Sequence, residues 1–202
     1  MEDNGFGKYS DFIKSTEKRE KIESDIETLE AKKGSLLGEV RSRELSGTYG
    51  DKEVSGDYDF WWDLLYQNIV NKNEAEKQRE ALLDEKIYMN PELGKLSIRE
   101  VEERWARYGA GDKEKLGVNT FEEYLEKYFT SRGKTGDVAY KEQQAELATI
   151  DASIQTYSNQ QRQALDVLGE YEDIYREEYA ALEREIANLK EVLREVVKAI
   201  NE

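Results

Sequence analysis

Asp137 to Glu202 is a run of 66 residues with no proline and a single glycine, Gly169. A stretch without helix breakers has few alternatives to one long helix. Its second half carries Tyr175, Tyr179, Leu182, Ile186, Leu189, Leu193, Val196 and Ile200, spaced by four and three in alternation. That is a heptad seam, which keeps one stripe facing a partner and winds helices around one another. At about 1.5 Å per residue a continuous arm extends on the order of 95 Å. A compact globule does not cover a seam of that length. The remaining chain, or another chain, must lie along it.

The upstream sequence supplies helices to do so. Ser10 or Asp11 is placed to cap a first helix, expected over 8–45, with Phe12, Ile22, Ile26, Leu29, Leu36 and Val40 at heptad positions. Gly34 and Gly38 fall in its second half and suggest a bend or a close helix contact. Ser46 to Gly56 holds three glycines and reads as a loop. Asp57 or Asp59 then opens a second helix over 58–88, aromatic at its start (Phe60, Trp61, Trp62) and polar on every face from Asn71 to Glu80. High exposure is expected in that polar part. Asn90-Pro91 ends the helix, because the residue before proline is pushed out of the α region.

Two capping boxes follow, Ser97-x-x-Glu100 and Thr120-x-x-Glu123, each opening a short helix. Arg132 to Gly136 is the last loop. No segment shows sustained period-two alternation, so no strands are expected. The chain is therefore predicted to be all-α, an elongated helical bundle or coiled coil with a long C-terminal helix and a small helical lobe at one end. Its expected parts are bundle helices in 1–57 and 58–90, a lobe over 91–136, and the long coiled-coil helix over 137–202, together one elongated domain. One internal echo stands out: Gly50-Asp-Lys-Glu-x-x-Gly56-x-x-x-Phe60 recurs as Gly111-Asp-Lys-Glu-x-x-Gly117-x-x-x-Phe121. It reads either as a duplicated turn that presents a charged knob, or as chance resemblance between helix starts.

Composition excludes most chemistry. The chain has no histidine and no cysteine. The commonest general base and metal ligand are thus missing, together with thiolate nucleophiles, Cys-bound zinc and any Ser-His-Asp or His-Glu-x-x-His site. Gly133-Lys134-Thr135 lacks the first glycine of a phosphate-binding loop, since Tyr128 stands there, and it follows a helix instead of a strand. No catalytic, cofactor or metal residues are assigned, and the chain is read as a non-enzyme. The net charge of −15, from 45 acidic and 30 basic residues, repels nucleic acid and anionic membrane. No stretch approaches a membrane span, and the acidic start has no apolar leader core. A soluble, cytoplasmic protein is expected, with incorporation in a virion as one setting.

Candidate partner-binding residues remain. Trp61 and Trp62 lie about 100° apart on a helix, so both cannot face one core. One of them is available as an exposed anchor; the competing reading is a core cap shared with Trp105, Phe121 and Phe129. Tyr171, Tyr175 and Tyr179 step by four, a stutter that joins an earlier apolar stripe to the seam, and they suit a lateral docking surface. The partner set is therefore Trp61, Trp62, Tyr175, Tyr179, Leu182, Ile186, Leu189, Leu193, Val196 and Ile200. These point to a protein partner or to self-association in a homo-oligomer, with no nucleic acid, membrane or small molecule. The expected function is a structural or assembly protein that oligomerises, or docks into a larger complex such as a virion, through its coiled-coil seam. The alternative is an acidic inhibitor that mimics nucleic acid on a basic partner, against which the interleaved Arg176, Arg184, Lys190, Arg194 and Lys198 weigh.

Overall fold

A computed structural model describes residues 5–87, 92 and 94–201, with side chains from residue 12 onward. The elements in order are α1 (Gly5–Arg41), β1 (Leu45–Tyr49), β2 (Lys52–Gly56), α2 (Tyr58–Asp84), α3 (Ile98–Arg107), α4 (Ala110–Leu116), α5 (Phe121–Tyr128), β3 (Thr130–Ser131), β4 (Lys134–Thr135) and α6 (Gly136–Asn201). The protein is mostly helical, with a long C-terminal helix and a few short strands. α6 runs 66 residues without a break at Gly169. Among the described residues no helix is long and apolar enough to cross a membrane.

Several expected boundaries move. α1 starts at Gly5, ahead of Ser10 and Asp11, and stops at Arg41 instead of Leu45. The stop is a tightened last turn, in which the Ser42 amide bonds Gly38 O and the Arg43 amide bonds Val40 O. α2 is continuous but ends at Asp84, short of the expected Tyr88: Glu85 to Ile87 have left the helix, with Lys86 bridged to Ser97 and the Ile87 amide bonded to Leu96 O at 2.7 Å, so the turn is made before Asn90-Pro91, which lie outside the described residues. From Asn71 to Glu80 the helix is mostly exposed and buries only Ala75, as its polarity implies.

The expectation of no strands is corrected. Leu45 to Gly56 is an antiparallel hairpin with Gly47 opposite Val54 and Tyr49 opposite Lys52. Gly50, at φ 66°, occupies the first central position of its two-residue turn, which suits type II′ and demands φ > 0. Leu45, Gly47 and Tyr49 do alternate inward, but the glycine hides the period from a count of apolar residues. It is there for space: a Cβ on Gly47 would lie 2.5 Å from Val167 Cγ2 and 3.3 Å from the Trp61 ring. The second hairpin, β3–β4, turns through Arg132 (φ 53°) and Gly133 (φ 76°), both left-handed as a type I′ turn requires. The Gly-Lys-Thr sequence at 133–135 is thus a hairpin end.

The chain divides into two compact units, Met1–Asp63 with Gln163–Glu202, and Leu64–Arg162. In the first, α1 and the last part of α6 run antiparallel. Glu30 pairs with Lys190 at 2.9 Å, Lys33 with Glu183 at 3.3 Å and Arg43 with Glu178 at 2.8 Å, so rising numbers on one helix meet falling numbers on the other. Ile22, Leu36 and Val40 of α1 and Leu182, Ile186 and Val196 of α6 are buried in this unit. The hairpin is tied to α6 by the Gln163 carboxamide, which accepts from the Gly50 amide at 2.8 Å and donates to Gly50 O at 3.2 Å.

The second unit has a continuous core that includes Leu82, Ile87, Ile98, Val101, Leu125 and Leu147. Ser97 and Glu100 form the complete capping box. Thr120 caps α5 through the Glu123 amide, while the Glu123 carboxylate reaches back to the Asn119 amide at 2.7 Å, one residue further than a box. Arg132 holds Glu85 at 2.7 Å and Glu146 at 3.3 Å. The echoed Gly-Asp-Lys-Glu motif has two unrelated settings, the hairpin turn at Gly50 and the body of α4 at Gly111. Only Phe60 and Phe121 share a place, in the first turns of α2 and α5.

Gly34 and Gly38 mark no close contact: α1 continues through both, and a Cβ at either would meet nothing within 4 Å. Gly34→Ala and Gly38→Ala should each stabilise the chain by about 1 kcal/mol, read as a rise in the urea midpoint. A fall in stability would show that the open space is filled in solution. Gln143, 2% exposed, has no hydrogen-bond partner for either amide atom among the described residues. Gln143→Leu keeps most of the volume and should stabilise the second unit by about 1–3 kcal/mol. A loss on that substitution would mean that buried water satisfies the amide.

Candidate protein-docking site

The first unit contains a groove of about 570 Å³ between α1 and α6. It is lined by one turn of α1 from Leu37 to Arg41, by Tyr58 at the start of α2, and by the stretch of α6 from Tyr171 to Glu183. Tyr171 is buried, and its hydroxyl lies 2.7 Å from Arg43 O and 2.9 Å from Gly56 O, so it ties the end of α1 to the end of the hairpin. Burial, with Asp57 and Glu44 nearby, raises its pKa. Tyr58 packs edge-on against it, with ring centroids 5.6 Å apart. The Asp57 carboxylate accepts from the Phe60 amide at 2.9 Å, which fixes the start of α2 and with it Tyr58.

Along α6, Tyr175 and Tyr179 follow Tyr171 at four-residue spacing and continue the aromatic wall, their rings 5.6 Å apart. Leu37, 43% exposed, faces the groove from α1. Two cations dress the rings: Arg41 lies 4.5 Å from the Tyr58 centroid and Lys33 4.9 Å from that of Tyr179. Lys33 is also paired with Glu183. Arg41 has no carboxylate partner among the described residues. A stacked guanidinium with free N–H donors beside an aromatic wall suits an acidic group carried next to an apolar one. Among the described residues no cluster of three or more acidic side chains is placed to hold a metal ion.

The sequence-derived partner set separates into three places. Tyr175 and Tyr179 line the groove, half-buried. Leu182, Ile186 and Val196 are buried and Leu189, Leu193 and Ile200 half-buried, on the stretch of α6 that the ion pairs set beside α1. Trp61 is fully buried, donating from Nε1 to Leu45 O at 3.2 Å, whereas Trp62 is 51% exposed. Trp105, Phe121 and Phe129 belong to the aromatic cluster of the second unit, whereas Trp61 belongs to the first. Leu37, Arg41 and Tyr58 were not singled out from the sequence. The available signal was the Leu37–Arg41 step of one turn. It gains meaning only from an antiparallel register that joins residues some 140 positions apart.

Electrostatics brace this frame from the edges. The Lys190 ammonium lowers the Glu30 pKa, and the Arg43 guanidinium lowers that of Glu178, both through hydrogen bonds to the carboxylate. In the second unit Lys86 and the Ser97 amide hold Glu100 down to about 2. Lowered folded-state values mean that these pairs stabilise the fold at and above the ordinary 4.5, and that the contribution is lost as pH falls through the lowered values. Glu178→Gln should therefore lower the urea midpoint at pH 7 and make no difference at pH 2. A deficit that persists at pH 2 would assign the effect of Glu178 to packing instead of charge.

Compared with known proteins, the chain matches no family model, no curated protein and no solved structure.

Proposed function

We propose that the protein is a non-enzymatic structural or assembly component, in which α1 and α6 form an antiparallel coiled coil whose tyrosine groove receives a protein partner. The observation that carries this reading is the groove itself: four tyrosines, an exposed leucine and an arginine without a carboxylate among the described residues, grouped along one helix pair. Tyr and Arg are the residues favoured in interface hot spots, because they bury large area at small entropic cost or bond in a fixed fork. The occupant that fits is a protein segment carrying an apolar side chain for the space beside Leu37 and a carboxylate for Arg41. In this reading the seam from Leu182 to Ile200 serves mainly to hold α1, and Tyr175 and Tyr179 carry the recognition.

The nucleic-acid-mimic reading has less support. Mimicry needs carboxylates in an unneutralised row, and Glu30, Glu178 and Glu183 each face a cation of the same chain.

Light scattering during gel filtration, with mass spectrometry of whatever elutes with the chain, tests the proposal for the wild type and for Leu37→Glu. The expected result is a stoichiometric complex that Leu37→Glu dissolves while helicity by circular dichroism is kept. A strict monomer without a stoichiometric partner, or a complex indifferent to Leu37→Glu, would overturn it.

A further inference from the structure

α4 is a helix that its own sequence barely supports. It spans seven residues with Gly111 inside it, and a short helix of that composition is marginal in water. Packing adds little: α4 buries no residue, and from Gly109 to Lys115 every residue but Lys113 is exposed. The helix is flanked by Gly109 and by Gly117, which takes a left-handed φ of 63°. Its far end is anchored. Leu116 O accepts from Lys127 Nζ at 2.6 Å and from the Tyr128 hydroxyl at 3.0 Å, and the Leu116 side chain packs against the core of the second unit. The near end rests on Lys113, whose ammonium stands 4.4 Å from the centroid of the Trp105 ring. Trp105 itself is held as a platform. Tyr124, 1% exposed, stacks on it at 5.3 Å with 30° between the planes, and Tyr108 meets it edge-on at 6.3 Å. The Tyr108 and Tyr124 hydroxyls lie 3.3 Å apart and tie these two rings together. The stacked Tyr124 takes one face of the indole and leaves the other to the ammonium.

We propose that this face of Trp105 is a binding site for an alkylammonium group, that Lys113 fills it as an internal stand-in, and that α4 is the strap that keeps it shut. What the site takes follows from what already fills it, a primary ammonium on a flexible stem. A cation over an indole face is attracted by the ring quadrupole, and more strongly where water is excluded. An external ammonium therefore competes for the same ring and, on winning, releases α4 at its weakly held end. The strap opens at little cost, since a segment with almost no buried apolar contact belongs to the least stable part of a fold. The net charge of −15 draws cations toward the chain and disfavours an anionic competitor. Two sources carry the required chemistry, a lysine on a basic partner segment and a small quaternary ammonium compound. The site lies wholly in the second unit, so it goes beyond the groove of the first and does not rest on it.

Titration of the full chain with a trilysine peptide and, separately, with tetramethylammonium tests this, followed through the Trp105 indole N–H signal in nuclear magnetic resonance. Lys113→Ala removes the internal competitor and should bind at least one probe about tenfold more tightly than the wild type, because the competent state is no longer a minority. Lys113→Arg keeps a cation on the ring and should stay near the wild-type affinity. The probe that binds more tightly names the source. Amide hydrogen exchange over 110–115 should quicken in Lys113→Ala while that of α3 and α5 is unchanged. Lys113 is a surface residue and the readout is the platform itself, so the core stays intact in the decisive variant. A Trp105 signal in Lys113→Ala that neither probe moves would overturn the inference. So would an affinity equal to that of the wild type, or exchange over 110–115 that the substitution leaves unaltered.

Discussion

The first unit depends on the apolar stripe of α6 being covered by α1 of the same chain. A 66-residue helix cannot leave a row of leucines, isoleucines and valines in water without a large unfavourable hydration term, since each fully buried side chain of that size is worth roughly 1.5–3 kcal/mol. α1 supplies Ile22, Leu36 and Val40, and the flanking ion pairs admit only the antiparallel register. The exposed pairs contribute little energy individually. Their value lies in register, because sliding α1 by one turn would bring Lys33 and Arg43 away from their carboxylates. Tyr171 then fixes the point where the pair ends, its hydroxyl between the carbonyls of Arg43 and Gly56. Below that point the helices are sealed; beside it the tyrosine wall stays open.

How much of this was legible follows from which interactions are local. The long arm, both short-helix caps and the polar stretch of α2 are written in contiguous residues, and each is found. The hairpin at 45–56 was missed because its inward positions include Gly47, whose smallness is dictated by Val167 more than a hundred residues away. Gly34 and Gly38 were misread for the converse reason: a glycine in a helix looks like a packing device, yet nothing approaches these two. Tyr175 and Tyr179 were visible as a break in the heptad count. Their companions Leu37, Arg41 and Tyr58 come from two other elements and carry no periodic signature of their own.

The acidic balance of the chain acquires a specific meaning from these placements. Net charge says that the surface is repulsive to other anions, but not where. Along the α1–α6 pair carboxylates and cations alternate across the seam, so the local field there is small. Of the cations without a carboxylate partner among the described residues, Arg41 sits beside the aromatic wall of the groove, over Tyr58. That arrangement favours association. An approaching protein surface excludes water from the ring and strengthens the cation's attraction to a carboxylate, while the rest of the acidic surface repels non-matching contacts. The excess negative charge thereby sharpens selectivity at the groove, where the charge of Arg41 is unspent.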